Sequence, residues 1–366
     1  MPSCKPFLLI VALVAITVVS FPVNAELRYE PRAADRVPLA HKSLMLDIVT
    51  AGERYIAVGE RGHVLISRDG REWEQAEEVP VNTTLTRIAF SGGRLWAVGH
   101  DSTIITSSDM GRTWRLQHHD PQRNEPLLDI HFFNSSTGLA VGAYGLLMST
   151  ADAGDNWEVV DMADVLVAEA IDWGDAVDMA DEFEDDYGDD EFGDDDLGWN
   201  DDLYDDESSF DRGCYEFMEC HHNAVLATND GGVMIAAERG FGFRSEDGGE
   251  TWESFRFPYP GSMFGLLEVH DGILAFGLRG NVQFSNDFGD EWEVFETGIE
   301  QGLMGATIAP DGRAAIVGSG GTILYFDPGS RQFSVSEDIL GGDYSAVLYT
   351  ADGVMILAGE EGLNHE

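Results

Sequence analysis

The stretch SSDMGRTW, residues 107–114, decides how this chain is read. It holds a serine, an aspartate two residues on, a glycine two further and a tryptophan three after that. The same order returns in SEDGGETW, from Ser245 to Trp252, and in SNDFGDEW, from Ser285 to Trp292. Thr150, Asp152, Gly154 and Trp157 form a conservative version. Ser67, Asp69, Gly70 and Trp73 are one residue short, and Asp327, Gly329 and Phe333 keep a degraded one. A unit used this often is a building element rather than a single catalytic centre.

Working outward, each unit also carries a short glycine step: AVGERG (57–62), AVGHDS (97–102), AVGAYG (140–145), AAERGF (236–241), FGLRGN (276–281), VGSGGT (317–322) and AGEEGL (358–363). The markers Gly59, Gly99, Gly142, Ala237, Gly277, Gly318 and Gly359 are spaced by 40, 43, 95, 40, 41 and 41 residues. Only the third spacing is anomalous, and its excess coincides with a run of acidic residues. A period near 40 is the mark of a repeat architecture.

Within a unit, LLDIHFF (127–133), GLAVGAYG (138–145), LLMST (146–150) and NWEVV (156–160) are short apolar or alternating runs bounded by Gly, Asp and Asn. This pattern predicts a four-stranded antiparallel meander, and the period makes each meander a β-propeller blade. The expected fold is therefore an all-β, seven-bladed propeller. Six units are complete. The seventh begins at Tyr344, passes Gly359 and is short of strand at Glu366, so residues 27–42, which have no blade of their own, are expected to complete it and close the ring.

Residues 1–25 read as a signal peptide: Lys5, an apolar run from Phe7 to Val19, and a small-residue cleavage site at Val23-Asn24-Ala25. The run is too short for a membrane span, so a periplasmic or otherwise exported protein is expected. Residues 26–366 then form one propeller domain, with 161–220 as an acidic insertion between blades 3 and 4. Cys4 leaves with the leader. Cys214 and Cys220 remain, and in an oxidising compartment they are expected to form a disulfide closing a small loop; a Cys/Cys/His metal site with His221 and His222 is the alternative.

The formal charge of -46 repels nucleic acid and anionic headgroups. The segment DEFEDDYGDDEFGDDDLGWNDDLYDDESS (181–209) has neither helical nor strand period, and its dense like charge predicts disorder. It reads as a solvated loop, as an arm for a basic partner, or as a weak, non-specific calcium site, since no register gives EF-hand spacing. No other cofactor is expected.

SxDxGxxW is the Asp-box, and the chain resembles the BNR-repeat propellers that carry it. Asp69, Asp109, Asp152, Asp247 and Asp287 are assigned structural roles: each carboxylate accepts backbone N–H groups in its turn, the glycine allows positive φ, and the indole fills the wedge between blades. With its seven glycine steps, the chain is similar in particular to the photosystem II stability and assembly factor-like propellers, over residues 44–160 and 221–363. That resemblance implies a non-enzymatic, exported seven-bladed protein that helps a membrane protein complex assemble or stay intact. For relatives outside photosynthesis it implies an association with RND-type transporters. The acidic insertion departs from the compact family pattern.

The same family carries arginines on one propeller face. Arg61, Arg239 and Arg279 each precede the second glycine of a step, at the end of the blade opposite the Asp-box, and are the candidate partner-binding residues. Guanidiniums at one level of a ring can grip carboxylates or phosphates; the alternative is local pairing, for instance of Arg239 with Glu238. The enzymatic alternative is a sialidase-like glycoside hydrolase, for which Arg36-Val37-Pro38 resembles an RxP element. Such sites need three arginines, a Tyr–Glu pair and an Asp on a six-bladed ring. Seven units are counted here and no Tyr–Glu pair can be placed, so no catalytic residue and no metal ligand is assigned. The propeller is expected to be a monomer by itself, without inserting into a membrane.

Overall fold

The computed structural model describes residues 31–167, 220–337 and 342–365. Their strands, numbered β1 to β27 in chain order, form seven antiparallel sheets. The first blade is β1 (Met45–Ala51), β2 (Arg54–Gly59), β3 (Val64–Ser67) and β4 (Glu74–Gln75), paired in that order. The innermost strands of the next six are β5 (Leu85–Ser91), β9 (Leu127–Phe132), β13 (His222–Ala227), β17 (Met263–Val269), β21 (Leu303–Ile308) and β25 (Tyr344–Tyr349). Each of these packs on the next and β25 returns to β1, so the chain is a closed seven-bladed propeller.

Two devices repeated in the sequence set the inner geometry. At Gly59, Gly99, Gly142, Gly277, Gly318 and Gly359 an added Cβ would lie 2.0–2.3 Å from the backbone carbonyl oxygen that precedes the innermost strand of the same blade. The glycine step is thus a point of close backbone approach. Opposite it, each innermost strand carries a β-bulge, at Met45/Asp47, Leu85/Arg87, His222/Ala224, Met263/Gly265, Leu303/Gly305 and Tyr344/Ala346, with the third blade's shift at Val141/Gly142. A bulge re-aims the extra side chain. Three of these extra residues bond the next blade: Thr86 Oγ1 donates to Leu127 O at 2.7 Å, Asn223 Nδ2 to Met263 O at 2.9 Å and Ser345 Oγ to Met45 O at 2.8 Å.

The faces of each blade are apolar and stack on their neighbours, with Trp96, Trp252, Phe241, Phe243, Phe276 and Phe326 fully buried. Burying each such ring contributes about 2–3 kcal/mol, and the burial depends on the adjacent blade being present.

Six blades have four strands. Among the described residues the seventh has three: β25, β26 (Met355–Gly359) and β27 (Gly362–His365). The expectation that the N-terminal segment supplies its outer strand is corrected for the described part of that segment. The His41 carbonyl oxygen sits where a Cβ on Gly362 would be 2.1 Å away, the place that Val81 takes against Gly62 in blade 1. Residues ahead of β1 therefore act as a blade-to-blade connector. Before that the chain crosses blade 1: Ala34 N donates to Val79 O at 3.0 Å, Val37 N to Gln75 Oε1 at 2.9 Å, and Gln75 Nε2 to Asp35 O at 2.9 Å. These bonds hold residues 34–37 on the first blade. Residues 27–30 lie outside the described residues.

The outer margins of the insertion belong to the propeller. Asp161 caps a single helical turn, Met162–Val165, through Ala163 N at 3.0 Å, and Met162 is buried. Val167 N then donates to Trp252 O of blade 4 at 2.8 Å, and at the far margin Cys220 O accepts from Gly145 N of blade 3 at 2.8 Å. The acidic run itself and the leader lie outside the described residues. No helix among the described residues is long and apolar enough to cross a membrane.

Candidate functional site

The repeated turns behave as scaffolding. In the second blade Ser107 Oγ donates to Asp109 Oδ1 at 2.8 Å and accepts from Gly111 N at 3.0 Å, Asp109 takes the Thr113 N–H at 3.0 Å, and Trp114 Nε1 donates to Gly111 O at 2.9 Å. Asp152, Asp247 and Asp287 sit in the same pattern. In the shortened first copy, the N–H groups of Glu72 and Arg71 hold the Asp69 carboxyl down at about 2. Carboxylates whose lone pairs are taken up in this way have little left for a ligand.

On the opposite rim, the residue two after the marker of the glycine step adopts left-handed backbone in six blades: φ is 55° at Arg61, 58° at Asp101, 55° at Tyr144, 56° at Arg239, 54° at Arg279 and 64° at Gly320, while Glu361 of the seventh does not. For a residue with a Cβ this costs roughly 1–2 kcal/mol, and Gly320 in blade 6 shows that glycine serves at this position. Arg61, Arg239 and Arg279 are all exposed. Arg61 Nε stands 4.0 Å from Glu60, with 77% of its side chain in solvent, and among the described residues Arg239 and Arg279 have no ion-pair partner.

The local pairing considered for Arg239 is not what the structure places there. Glu238 turns to His221 instead, accepting its backbone N–H at 3.2 Å and lying 3.3 Å from its Nδ1. Arg239 and Arg279 stand on the adjacent fourth and fifth blades, while Arg61 is on the first blade, three blades from either. Sequence reasoning missed Tyr144, which is 49% exposed and meets the His221 ring edge-on at 5.0 Å. It occupies the arginines' own repeat position, so the aligned glycine steps contained the signal. Leu278, 39% exposed beside Arg279, adds an apolar element to the same sector. Blades 3 to 5 thus present two exposed guanidiniums, without ion-pair partners among the described residues, together with an exposed phenol and an exposed aliphatic side chain.

Cys220 is buried with Met162 and Val225, close to this sector; Cys214 lies outside the described residues. Among the described residues no group of three or more His, Cys, Asp or Glu is placed to hold a metal. Arg36 is exposed and is flanked by Asp35 and Val37, both tied to Gln75 on the outermost strand of blade 1, so it stands far from the inner strands. A cleft of about 500 Å³ on the Asp-box side contains Arg54, Arg68 and Arg112, but Glu72, Glu74 and Glu77 share it and Glu77 pairs with Arg112.

No protein-family model and no curated protein matches the chain. Solved structures do. It is similar to YCF48 bound to D1 peptide, at 15% identity over 91% of this chain and 94% of that one, with a TM-score of 0.61. YCF48 from Cyanidioschyzon merolae is 18% identical over 90% and 96%, with a TM-score of 0.60. The WD40 β-propeller domain of Doa1 is 12% identical over 89% and 92%, with a TM-score of 0.59. At these identities the likeness establishes the propeller fold.

Proposed function

We propose that this chain is an exported, non-enzymatic binding scaffold that assists the assembly or stability of a membrane protein complex, and that it grips an extended acidic segment of its partner on the rim bearing Arg239 and Arg279. One observation carries the reading: Arg239 and Arg279, exposed and without an ion-pair partner among the described residues, are kept on left-handed backbone where glycine would be cheaper. Strain retained at a solvent-facing position calls for a use outside the fold. Guanidiniums suit carboxylates, and the flanking Tyr144 and Leu278 suit apolar side chains beside them. A structural neighbour described as bound to a D1 peptide supports peptide capture on such a ring. Arg61 extends the surface toward the first blade.

The resemblance to the photosystem II assembly factor-like propellers supplies an RND-type transporter as the partner class. The leader at 1–25, a periplasmic location, the Cys214–Cys220 disulfide and a monomeric ring belong to the same proposal. The glycosidase reading is the less favoured because Arg36 lies on the outer edge of blade 1 rather than at a ring of convergent arginines. Site-specific photo-crosslinking tests the surface. A crosslinker at Tyr144 or Leu278 is expected to capture a membrane protein in the intact envelope, and one at Glu250, on the Asp-box side, to capture none. Equal capture from both sides, or from neither, rejects the rim as the docking surface.

A further inference from the structure

One place on the innermost strands carries charge on three successive blades. Asp47 on β1, Arg87 on β5 and Asp129 on β9 each follow the bulge, where the other four blades carry Ala224, Gly265, Gly305 and Ala346. From the middle blade Arg87 faces both acids. Its Nη1 is 3.7 Å from Asp47 Oδ1 and its Nε 3.4 Å from Asp129 Oδ1, and the two carboxylate side chains are only 11% and 13% exposed. Each acid also caps an amide of the following blade's innermost strand, whose second edge has no strand to pair with. Ile88 N donates to Asp47 Oδ2 at 2.9 Å and Val225 N to Asp129 Oδ2 at 2.9 Å, while Ile130 N donates to Asp129 Oδ1 at 2.8 Å.

Two carboxylates share one guanidinium, which leaves a surplus negative charge that burial disfavours. The ring does not need it for closure. Elsewhere at this level blades meet without charge, as at Gly305, where a Cβ would lie 2.3 Å from Ser345 O. We propose that this belt is a one-proton sensor built into the ring: as the medium turns mildly acidic Asp47 takes up the proton, and Arg87 passes wholly to Asp129. Asp47 is the acceptor because Arg87 stands closer to Asp129, 3.4 Å against 3.7 Å; the amides facing the two acids are alike, one from the following blade and one from the next residue of the strand.

The groups facing Asp47 are Arg87 and Asp129; those facing Asp129 are Arg87 and His131, the latter pushed toward its neutral form by burial. Burial raises both carboxyls, Asp47 to about 6 against a usual 3.8. The folded chain therefore binds this proton before the unfolded chain does. The resulting stability is complete below the ordinary carboxyl range and is lost as pH rises from there to about 6.

Carbon-13 NMR of the full chain, labelled at the aspartate carboxyls, tests this. One carboxyl is expected to titrate with a midpoint near 6. It should vanish in Asp47→Asn, which keeps an oxygen for Ile88 N, and should move down by about one unit in Asp129→Asn, which leaves Arg87 to Asp47 alone. Denaturant unfolding provides a second readout that needs only the conservative Asp47→Asn variant. Relative to that variant, the wild-type folding constant should rise roughly tenfold per unit as pH falls from about 6 to about 4. Wild-type aspartates that all titrate below about 5, or unfolding curves that stay parallel across this window, would overturn the proposal.

Discussion

A guanidinium on a left-handed residue costs the fold something that a hydrogen atom in its place would not. Arg61, Arg239 and Arg279 each bear that cost, so their replacement tests strain and binding together. Each Arg→Gly change is expected to leave the fold as stable or to raise its stability by about 1 kcal/mol, read from the denaturant midpoint, because relief of the αL strain outweighs the entropy of glycine. A clear loss of stability would mean that the side chains pack against something. The step glycines behave in the opposite way. Gly59→Ala would set a Cβ 2.1 Å from the Leu44 carbonyl oxygen and should cost about 3 kcal/mol or more, since backbone must move. Ala237→Gly, at the same repeat position in blade 4, should cost no more than about 1 kcal/mol.

At the scale of the element, a blade is recognisable from its turns and its period, but its ends depend on neighbours. The Asp-box residues were legible because local hydrogen bonds define them: serine, aspartate, glycine and tryptophan satisfy one another within eight residues. The N-terminal segment was not, because Ala34 and Val37 take their bonds from Val79 and Gln75 on blade 1, a choice that no local pattern encodes. The charged belt was equally hidden. Asp47, Arg87 and Asp129 are about 40 residues apart in sequence, and a lone acid in an apolar strand does not announce its partner. Tyr144 was hidden for a different reason: at the arginines' repeat position an aromatic residue carries no charge to mark it.

His222 gives an element-scale prediction. It is buried on β13, and burial lowers its pKa from 6.5 to about 4. The folded chain holds this ring neutral, so its contribution is complete above the ordinary histidine range and is lost as pH falls from about 6.5 to 4. The full swing is about 3 kcal/mol. Unfolding measured near pH 7 and near pH 4.5 should show His222→Gln losing less stability on acidification than the wild type. An equal loss in both would show that the ring is already charged or solvated in the folded state. The sign is opposite to that of Asp47, so the two variants separate the two contributions.

For the whole molecule, seven small sheets bury their faces only on one another, and the connections between them set two different rims. One rim is occupied by turns that satisfy themselves. The other projects Arg61, Arg239, Arg279 and Tyr144 from repeated left-handed positions, with Leu278 beside Arg279, and the described margins of the acidic insertion bond to Trp252 of blade 4 and Gly145 of blade 3. The fold was legible because a period near 40 residues survives in every unit. The site was legible only in part, since the repeat places Arg61, Arg239 and Arg279 on one rim, with the latter two on consecutive units, without telling that Tyr144 and Leu278 are exposed beside them. Recognition of a membrane partner by this rim is measured by affinity purification from gently solubilised envelope, comparing wild type with the triple Arg→Gly variant at residues 61, 239 and 279. One membrane complex is expected to be recovered with the wild type and lost with a variant that is no less stable; undiminished recovery with the variant, or no membrane protein with either, would rule out the rim as the docking surface.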